Sequence, residues 1–384
     1  MKDKTCILPW IHMATSPDGQ IKPCCLYRKK FQTNLQGFWN SGSMQLIRDG
    51  HLKGEEIPGC ESCWKLEKAG IKSKRQTDNE RFEYLKSRVK GQIAESPPAY
   101  LDIKLSNLCN LKCRICGIGN SSTWAVEEFK RLKDAAPEKR IPVKMALESR
   151  KWIEGNNEFW DYLDSISGEV NFFDFTGGEP FMIPEHWDFL KTCVDKKIAS
   201  NISLHYNTNA TIFPEAFALW KSFKDVEIMC SIDDIENRFE YQRHPAKWDI
   251  VEDNIRAFRD LDFIRVQLCT TVSIYNLYYL PELIQWAKSQ TLYYWFNILH
   301  TPLHYNIKVL TPEVKKEVEE KLKKIPELEP ILNFMYSEDL SKNYKSFFDN
   351  YQMRDKIRNE SYQKTFPEFY KILNPTPEWK ELFI

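Results

Sequence analysis

Three cysteines in the run LSNLCNLKCRICG constrain this chain more than any other feature. Cys109, Cys113 and Cys116 are spaced C-x-x-x-C-x-x-C, which gathers three thiolates rather than four into one loop. An iron–sulfur cube ordinarily takes four cysteine ligands. A three-thiolate cradle leaves one iron with an open position, and an open position separates a catalytic metal centre from a structural one. Short cysteine clusters also bind zinc, so the motif has to be read with its surroundings.

Those surroundings alternate strand and helix. From 99 to 300 the strand patterns AYLDIKLS, VNFFDFT, ISLHYNT, VEIMCSI, IRVQLCTTVS and LYYWFNILH are separated by helical patterns such as SSTWAVEEFKRLK, ESRKWIEGNNEFWDYLDSI, EHWDFLKTCVDKK and WDIVEDNIRAFRDL. Such alternation predicts an α/β fold with a parallel sheet and a ligand at the carboxyl ends of its strands. The cysteine loop lies at the first of these ends. The second carries Gly177, Gly178, Glu179 and Pro180, the third Asn207 and Asn209, and the fourth Ser231, with Arg243 in the connection that follows. Paired glycines let backbone approach a neighbour closely, and a carboxylate accepts hydrogen bonds from an ammonium group.

With a three-cysteine loop followed by GGEP at a strand end, the chain resembles the radical S-adenosylmethionine (SAM) superfamily. That resemblance implies a partial (β/α)6 barrel and a [4Fe–4S] cluster on Cys109, Cys113 and Cys116, its open iron chelated by the amino and carboxylate groups of SAM. It further implies contacts to SAM from Gly177, Gly178 and Glu179 at the amino group, from Ser231 and Arg243 at the carboxylate or ribose, and from Asn209. A guanidinium suits a carboxylate through two parallel hydrogen bonds. The plainer reading leaves Ser231 capping a turn and Arg243 solvated. Two positions depart from the family pattern: Ile115 replaces an aromatic residue common near the adenine, and Ala210 replaces the usual glycine after Asn209. The implied chemistry is reductive cleavage of SAM to methionine and a 5′-deoxyadenosyl radical, which takes hydrogen from a substrate. An electron donor such as flavodoxin or ferredoxin is implied as a partner.

Five further thiols, Cys6, Cys24, Cys25, Cys60 and Cys63, fall in the first hundred residues. Four cysteines can close a tetrahedral zinc site or a second cubane. The pattern from Cys6 through Gly19 to Cys24 resembles the opening of the SPASM and twitch auxiliary-cluster domains, here ahead of the barrel. The organisation implied is a small amino-terminal Cys-rich iron–sulfur domain (1–98), the barrel (99–300) and a helical, aromatic-rich C-terminal tail (301–384). The implied auxiliary [4Fe–4S] ligands are Cys6, Cys24, Cys60 and Cys63, with Cys25 as a substitute for Cys24 and zinc as the alternative metal. Cys193, Cys230 and Cys269 read as small buried residues.

Lysine plus arginine equals aspartate plus glutamate at 54 each, a balance that gives no sign of a nucleic-acid or membrane partner. Eleven cysteines is an odd number, and the start MKDKTCILPWIHM has no apolar core, so reduced thiols in a cytoplasmic protein are expected. SPASM and twitch relatives point to a peptide or protein substrate, as in maturases. A sugar, nucleotide or amino-acid derivative is the alternative. A nonenzymatic iron–sulfur or zinc electron carrier is the reading from another class, and an electron carrier has no need of GGEP or SIDD. His300, Tyr305, Asp349 and Arg354 are the tail-side candidates for substrate contact; none is diagnostic.

Overall fold

The computed structural model describes residues 4–68 and 72–373. Eight strands form one sheet. They are β1 (His12–Thr15), β2 (Ile21–Lys22), β3 (Tyr100–Lys104), β4 (Phe172–Thr176), β5 (Ser203–Thr208), β6 (Asp225–Ser231), β7 (Arg265–Val272) and β8 (Tyr293–Ile298). From β3 to β8 the strands lie side by side in chain order, all parallel. This is the six-strand unit expected from 99–300, and it has the arrangement of a radical SAM partial barrel.

Burial alternates along the strands because side chains alternate between faces. In β5, Leu204, Tyr206 and Thr208 are buried, whereas Ser203, His205 and Asn207 are half-buried. Leu204 and Tyr206 join the main core with Phe175, Leu190, Trp220 and Phe258. The second set shares its face with Asp102, Asp174 and Glu227, aligned through the registers Asp102↔Asp174, Asp174↔His205 and His205↔Glu227. Parallel sheets usually bury both faces in apolar contacts. A polar, half-open second face is what a barrel lumen requires.

The amino-terminal segment is not merely tethered to this barrel. β1 runs parallel to β3 in the register His12↔Tyr100, and β2 closes an antiparallel hairpin on β1. The sheet is therefore continuous across the 98/99 boundary. Beside it, Arg48 is fully buried in the helix Gly42–Lys53 and donates to the carbonyls of Pro9, Trp39 and Gln92 and to Asn40 Oδ1 at 2.7–3.0 Å. One guanidinium thus ties together three segments of an otherwise loop-rich unit, at Pro9, Trp39–Asn40 and Gln92.

Between β3 and β4 the single helix read in ESRKWIEGNNEFWDYLDSI is instead two, Pro137–Ser149 and Asn157–Ile166. Gly155 takes a left-handed φ of +62°, and Asn156 Oδ1 accepts from Phe159 N at 3.2 Å to cap the second helix. The first helix ends at Ser149, and after a turn through 150–155 this pairing starts the next. In the tail, the helix Tyr344–Arg358 returns to the strand carboxyl ends. Residues 374–384 of the predicted extension lie outside the described residues.

Candidate active site

The cysteine loop and GGEP are held together by backbone. Gly178 N donates to Ser106 O at 2.7 Å and Glu179 N to Leu108 O at 2.8 Å. A side chain at Gly178 would put its Cβ 2.1 Å from Leu108 O, and one at Gly177, where φ is +121°, 2.6 Å from Ser106 O. In this structure the paired glycines therefore serve the close approach of two protein segments, where the sequence had suggested approach to a ligand.

Glu179 is 1% exposed. Its carboxylate accepts from Asn209 N at 2.7 Å, Thr208 Oγ1 at 2.8 Å and Phe181 N at 3.3 Å, so it ties GGEP to the end of β5. Burial pushes its carboxyl up to about 7 despite these donors. Asn209 then reaches across to the loop, its Nδ2 lying 2.9 Å from Asn110 Oδ1 and 3.8 Å from Cys109 Sγ. Ala210 takes the left-handed conformation at φ +58°, and its N donates to Thr208 Oγ1 at 3.0 Å. The chain keeps the geometry that a glycine would adopt freely.

Arg243 arrives by a second backbone seam. Lys112 N donates to His244 O at 2.8 Å and Arg114 N to Gln242 O at 2.7 Å, which sets Arg243 beside Cys113. Its Nη2 pairs with Asp233 Oδ2 at 2.8 Å, and Asp233 Oδ1 accepts from Thr271 N at 2.9 Å. Against the cost of burial, Asp233 and the thiols of Cys113 and Cys116 keep the guanidinium charged. Its Nε is buried with no hydrogen-bond partner. Ser231 closes β6, half-buried, and Ile115 is half-buried in the loop. The plainer reading of Arg243 as a solvated charge does not hold, since only 7% of it is exposed.

These features fit a cluster with SAM. Burial pushes the Cys109 thiol up to about 12, with Cys113 adding to the rise. A hydrogen bond between Cys113 and Cys116 lowers the first thiol and raises the second. Crowded, buried thiols of this kind are costly to ionise alone, and a bound cation reverses that cost. The unpartnered Arg243 Nε offers a donor to a ligand carboxylate.

Sequence reasoning missed the supports of the loop. Ser122 Oγ accepts from Cys109 N at 3.2 Å, Thr123 Oγ1 donates to Leu111 O at 2.6 Å, and Trp124 Nε1 donates to Cys113 O at 2.6 Å. The run SSTW directly after the loop was the available signal. The tail adds a larger support. Arg114 is fully buried, 3.9 Å above the Tyr241 ring, and binds both Asp355 and Glu360. Arg354 and Arg358 pair with Glu127 at 3.1 Å, and Lys112 does so at 2.7 Å. Arg354, a candidate for substrate contact, is thereby committed to structure. Tyr305 is buried against Tyr275, Asp349 pairs with Lys345 on the surface, and His300 packs on Phe334.

In the amino-terminal unit, Cys6, Cys24, Cys60 and Cys63 line one cavity together with His51 and Arg75. Burial raises Cys6 strongly and Cys60 to about 12, with Cys63 adding to both. Cys25 is not on the cavity wall; a hydrogen bond with the Cys24 thiol, together with burial, raises it. Among the described residues, no three His, Cys, Asp or Glu side chains close on a point as around a single metal ion, and no helix is long and apolar enough to cross a membrane.

Residues 103–287 match the Radical SAM superfamily. Over 193 residues it is 25% identical to an uncharacterized protein of Methanocaldococcus jannaschii, covering 49% of this chain and 57% of that one. Among solved structures it is similar to anSMEcpe with bound AdoMet and Cp18Cys peptide (17% identity, 62% of this chain, 61% of that chain, TM-score 0.39). It is also similar to Streptococcus suis SuiB bound to S-adenosylmethionine (15% identity, 76% and 60%, TM-score 0.38). The chain spans less than two thirds of the length of each of these relatives.

Proposed function

We propose that this protein is a radical SAM enzyme in which Cys109, Cys113 and Cys116 hold a [4Fe–4S] cluster and GGEP, Asn209, Ser231 and Arg243 hold SAM. The observation that carries the reading is Arg243, a buried guanidinium placed beside two of the three thiols with one N–H still unpartnered. When bound, the cluster and SAM together supply a 5′-deoxyadenosyl radical. The chain's own residues do the rest. Arg243 orients a carboxylate, the Glu179–Asn209 link fixes one wall, Ile115 gives an apolar surface for the adenine, and the surrounding core keeps competing hydrogen donors out.

Cys6, Cys24, Cys60 and Cys63 are proposed to hold an auxiliary [4Fe–4S] cluster, a reading supported by their meeting on one cavity wall. The substrate proposed is a peptide or protein, resting on the resemblance of this cysteine set to SPASM and twitch maturases. Flavodoxin or ferredoxin is the proposed reductant.

The test is anaerobic reconstitution with iron and sulfide, then reduction with SAM present. About eight irons per chain and SAM-dependent 5′-deoxyadenosine are expected. A reducible cluster that never yields 5′-deoxyadenosine, with or without candidate peptides, counts against the enzyme. Deuterium transfer to 5′-deoxyadenosine from a labelled small molecule, but from no peptide, would move the substrate class. Glu179→Gln should weaken SAM binding with the iron content unchanged.

A further inference from the structure

The cavity lined by the four amino-terminal thiols has a fifth polar wall. His51 is 1% exposed, lines the same cavity as Cys6, Cys24, Cys60 and Cys63, and its Nδ1 is buried without a hydrogen-bond partner. It lies in the last turn of the helix Gly42–Lys53, one turn after Ile47, which lines the cavity as well. Positions i and i+4 share a helix face, so the helix presents an apolar and an imidazole side chain to the thiols together.

The backbone that carries the ring is held in place. Thr5 Oγ1 donates to His51 O at 3.2 Å, and Arg75 Nη1 donates to Thr5 O at 3.0 Å. Arg75, which lines the cavity too, is bound to Glu67 at 2.6–2.9 Å. The segment leading into Cys6 is therefore pinned to the helix that carries His51. Leaving a buried imidazole nitrogen unpaired costs about 1–3 kcal/mol, and folded chains rarely keep such a group unless something bound there satisfies it. A [4Fe–4S] cluster on four thiolates offers sulfur acceptors at that wall, and hydrogen bonds to cluster sulfur are among the features that set its reduction potential.

We propose that His51 is a positioning residue of the auxiliary centre, donating from Nδ1 to the sulfur of a thiolate-bound iron–sulfur cluster and raising its reduction potential. This rests on the auxiliary-cluster reading above. His51 is a donor to the cluster, while the four cysteines remain its ligands.

The test uses the full chain with Cys109, Cys113 and Cys116 changed to Ala, so that the amino-terminal cluster alone reports. Iron and sulfide are counted, and the midpoint potential is followed by electron paramagnetic resonance during a redox titration. His51→Leu should shift the midpoint to lower potential with iron and sulfide unchanged. His51→Asn, whose amide N–H sits near the position of Nδ1, should recover most of the shift. An unchanged midpoint in His51→Leu overturns the proposal. So does a loss of iron from His51→Asn as complete as that from Cys60→Ser, which would make His51 a ligand. A parent protein that binds zinc, or no iron at this site, overturns the auxiliary cluster itself, and that is seen before His51 is touched.

Discussion

Arg114 Nη2 donates to Asp355 Oδ1 at 2.7 Å, across 241 residues of sequence. One partner sits between two cysteines of the motif and the other on the tail helix. The guanidinium is wholly buried, the carboxylate nearly so. Removing Asp355 leaves Glu360 as the remaining carboxylate partner of Arg114, so the cost falls at or below the low end of the about 3–5 kcal/mol for breaking a buried pair. Asp355→Ala should therefore lower the melting temperature and loosen the cysteine loop, with loss of iron there. Arg114→Met combined with Asp355→Leu should recover part of the stability, because the buried guanidinium is gone while Glu360, which loses Arg114, keeps His244. Anaerobic thermal unfolding with iron analysis checks both. An Asp355→Ala protein as stable as its parent would show that the tail does not brace the loop.

The same contact has a pH signature through Glu127. Despite burial, Arg358 and Lys112 hold its carboxyl at about 2, below the ordinary value near 4.3 for an unfolded chain. Between these values the unfolded state binds more protons than the native state, so stability rises with pH. The contribution is fully present above about pH 4.5 and is lost as the pH falls toward 2, on the order of 2 kcal/mol after screening. Glu127→Gln should be less stable at pH 7 and should flatten this part of the acid-unfolding profile. Equal slopes for the two proteins between pH 4.5 and 2.5 would contradict the assignment.

Gly178 gives the sharpest steric prediction. An alanine Cβ would meet Leu108 O at 2.1 Å, and both contact partners are backbone, so neither can swing aside. Gly178→Ala should separate GGEP from the cysteine loop, costing more than about 2 kcal/mol and lowering cluster occupancy. Normal iron content and an unchanged melting temperature would show that the two segments can part harmlessly.

Ala210 works in the opposite direction. A non-glycine residue in the left-handed region carries a cost of about 1–2 kcal/mol, set against glycine's extra freedom in the unfolded chain. Ala210→Gly should leave stability level or raise it by up to about 1 kcal/mol, with SAM affinity retained. A clear drop in the melting temperature would mean that the Ala210 methyl group packs usefully.

What could be read from the sequence follows from the range of each interaction. The barrel strands were legible as short apolar runs between helical patterns, continuous in β3 and alternating in β5, as in Leu204, His205 and Tyr206. GGEP and the cysteine loop were legible because each motif is contiguous. Arg114 reads as one more basic residue in a loop until Asp355 and Glu360 are brought to it, and nothing local announces partners so distant. β1 pairs with β3 through backbone groups that carry no sequence signature, so a segment marked by its cysteines as separate proves continuous with the barrel sheet. Cys24 and Cys25 were equivalent by spacing, and only their orientation separates them.

That orientation yields a direct test. Cys24 shares a cavity with Cys6, Cys60 and Cys63. Cys25 does not line that cavity; its thiol is hydrogen-bonded to that of Cys24, which with burial raises it, and Lys22 Nζ donates to its carbonyl oxygen. Residues 23–26 form a bend and turn, closed by Tyr27 N donating to Cys24 O at 3.0 Å, and of the two cysteines Cys24 is the one that lines the cavity. Cys24→Ser should remove about half of the iron from the reconstituted protein if both clusters are cubanes. Cys25→Ser should retain it, with the visible absorption of the parent. Cys60→Ser serves as the reference for loss of the amino-terminal cluster alone. The reverse pattern, with iron lost from Cys25→Ser and kept in Cys24→Ser, would require the hairpin after β2 to turn over when the cluster binds.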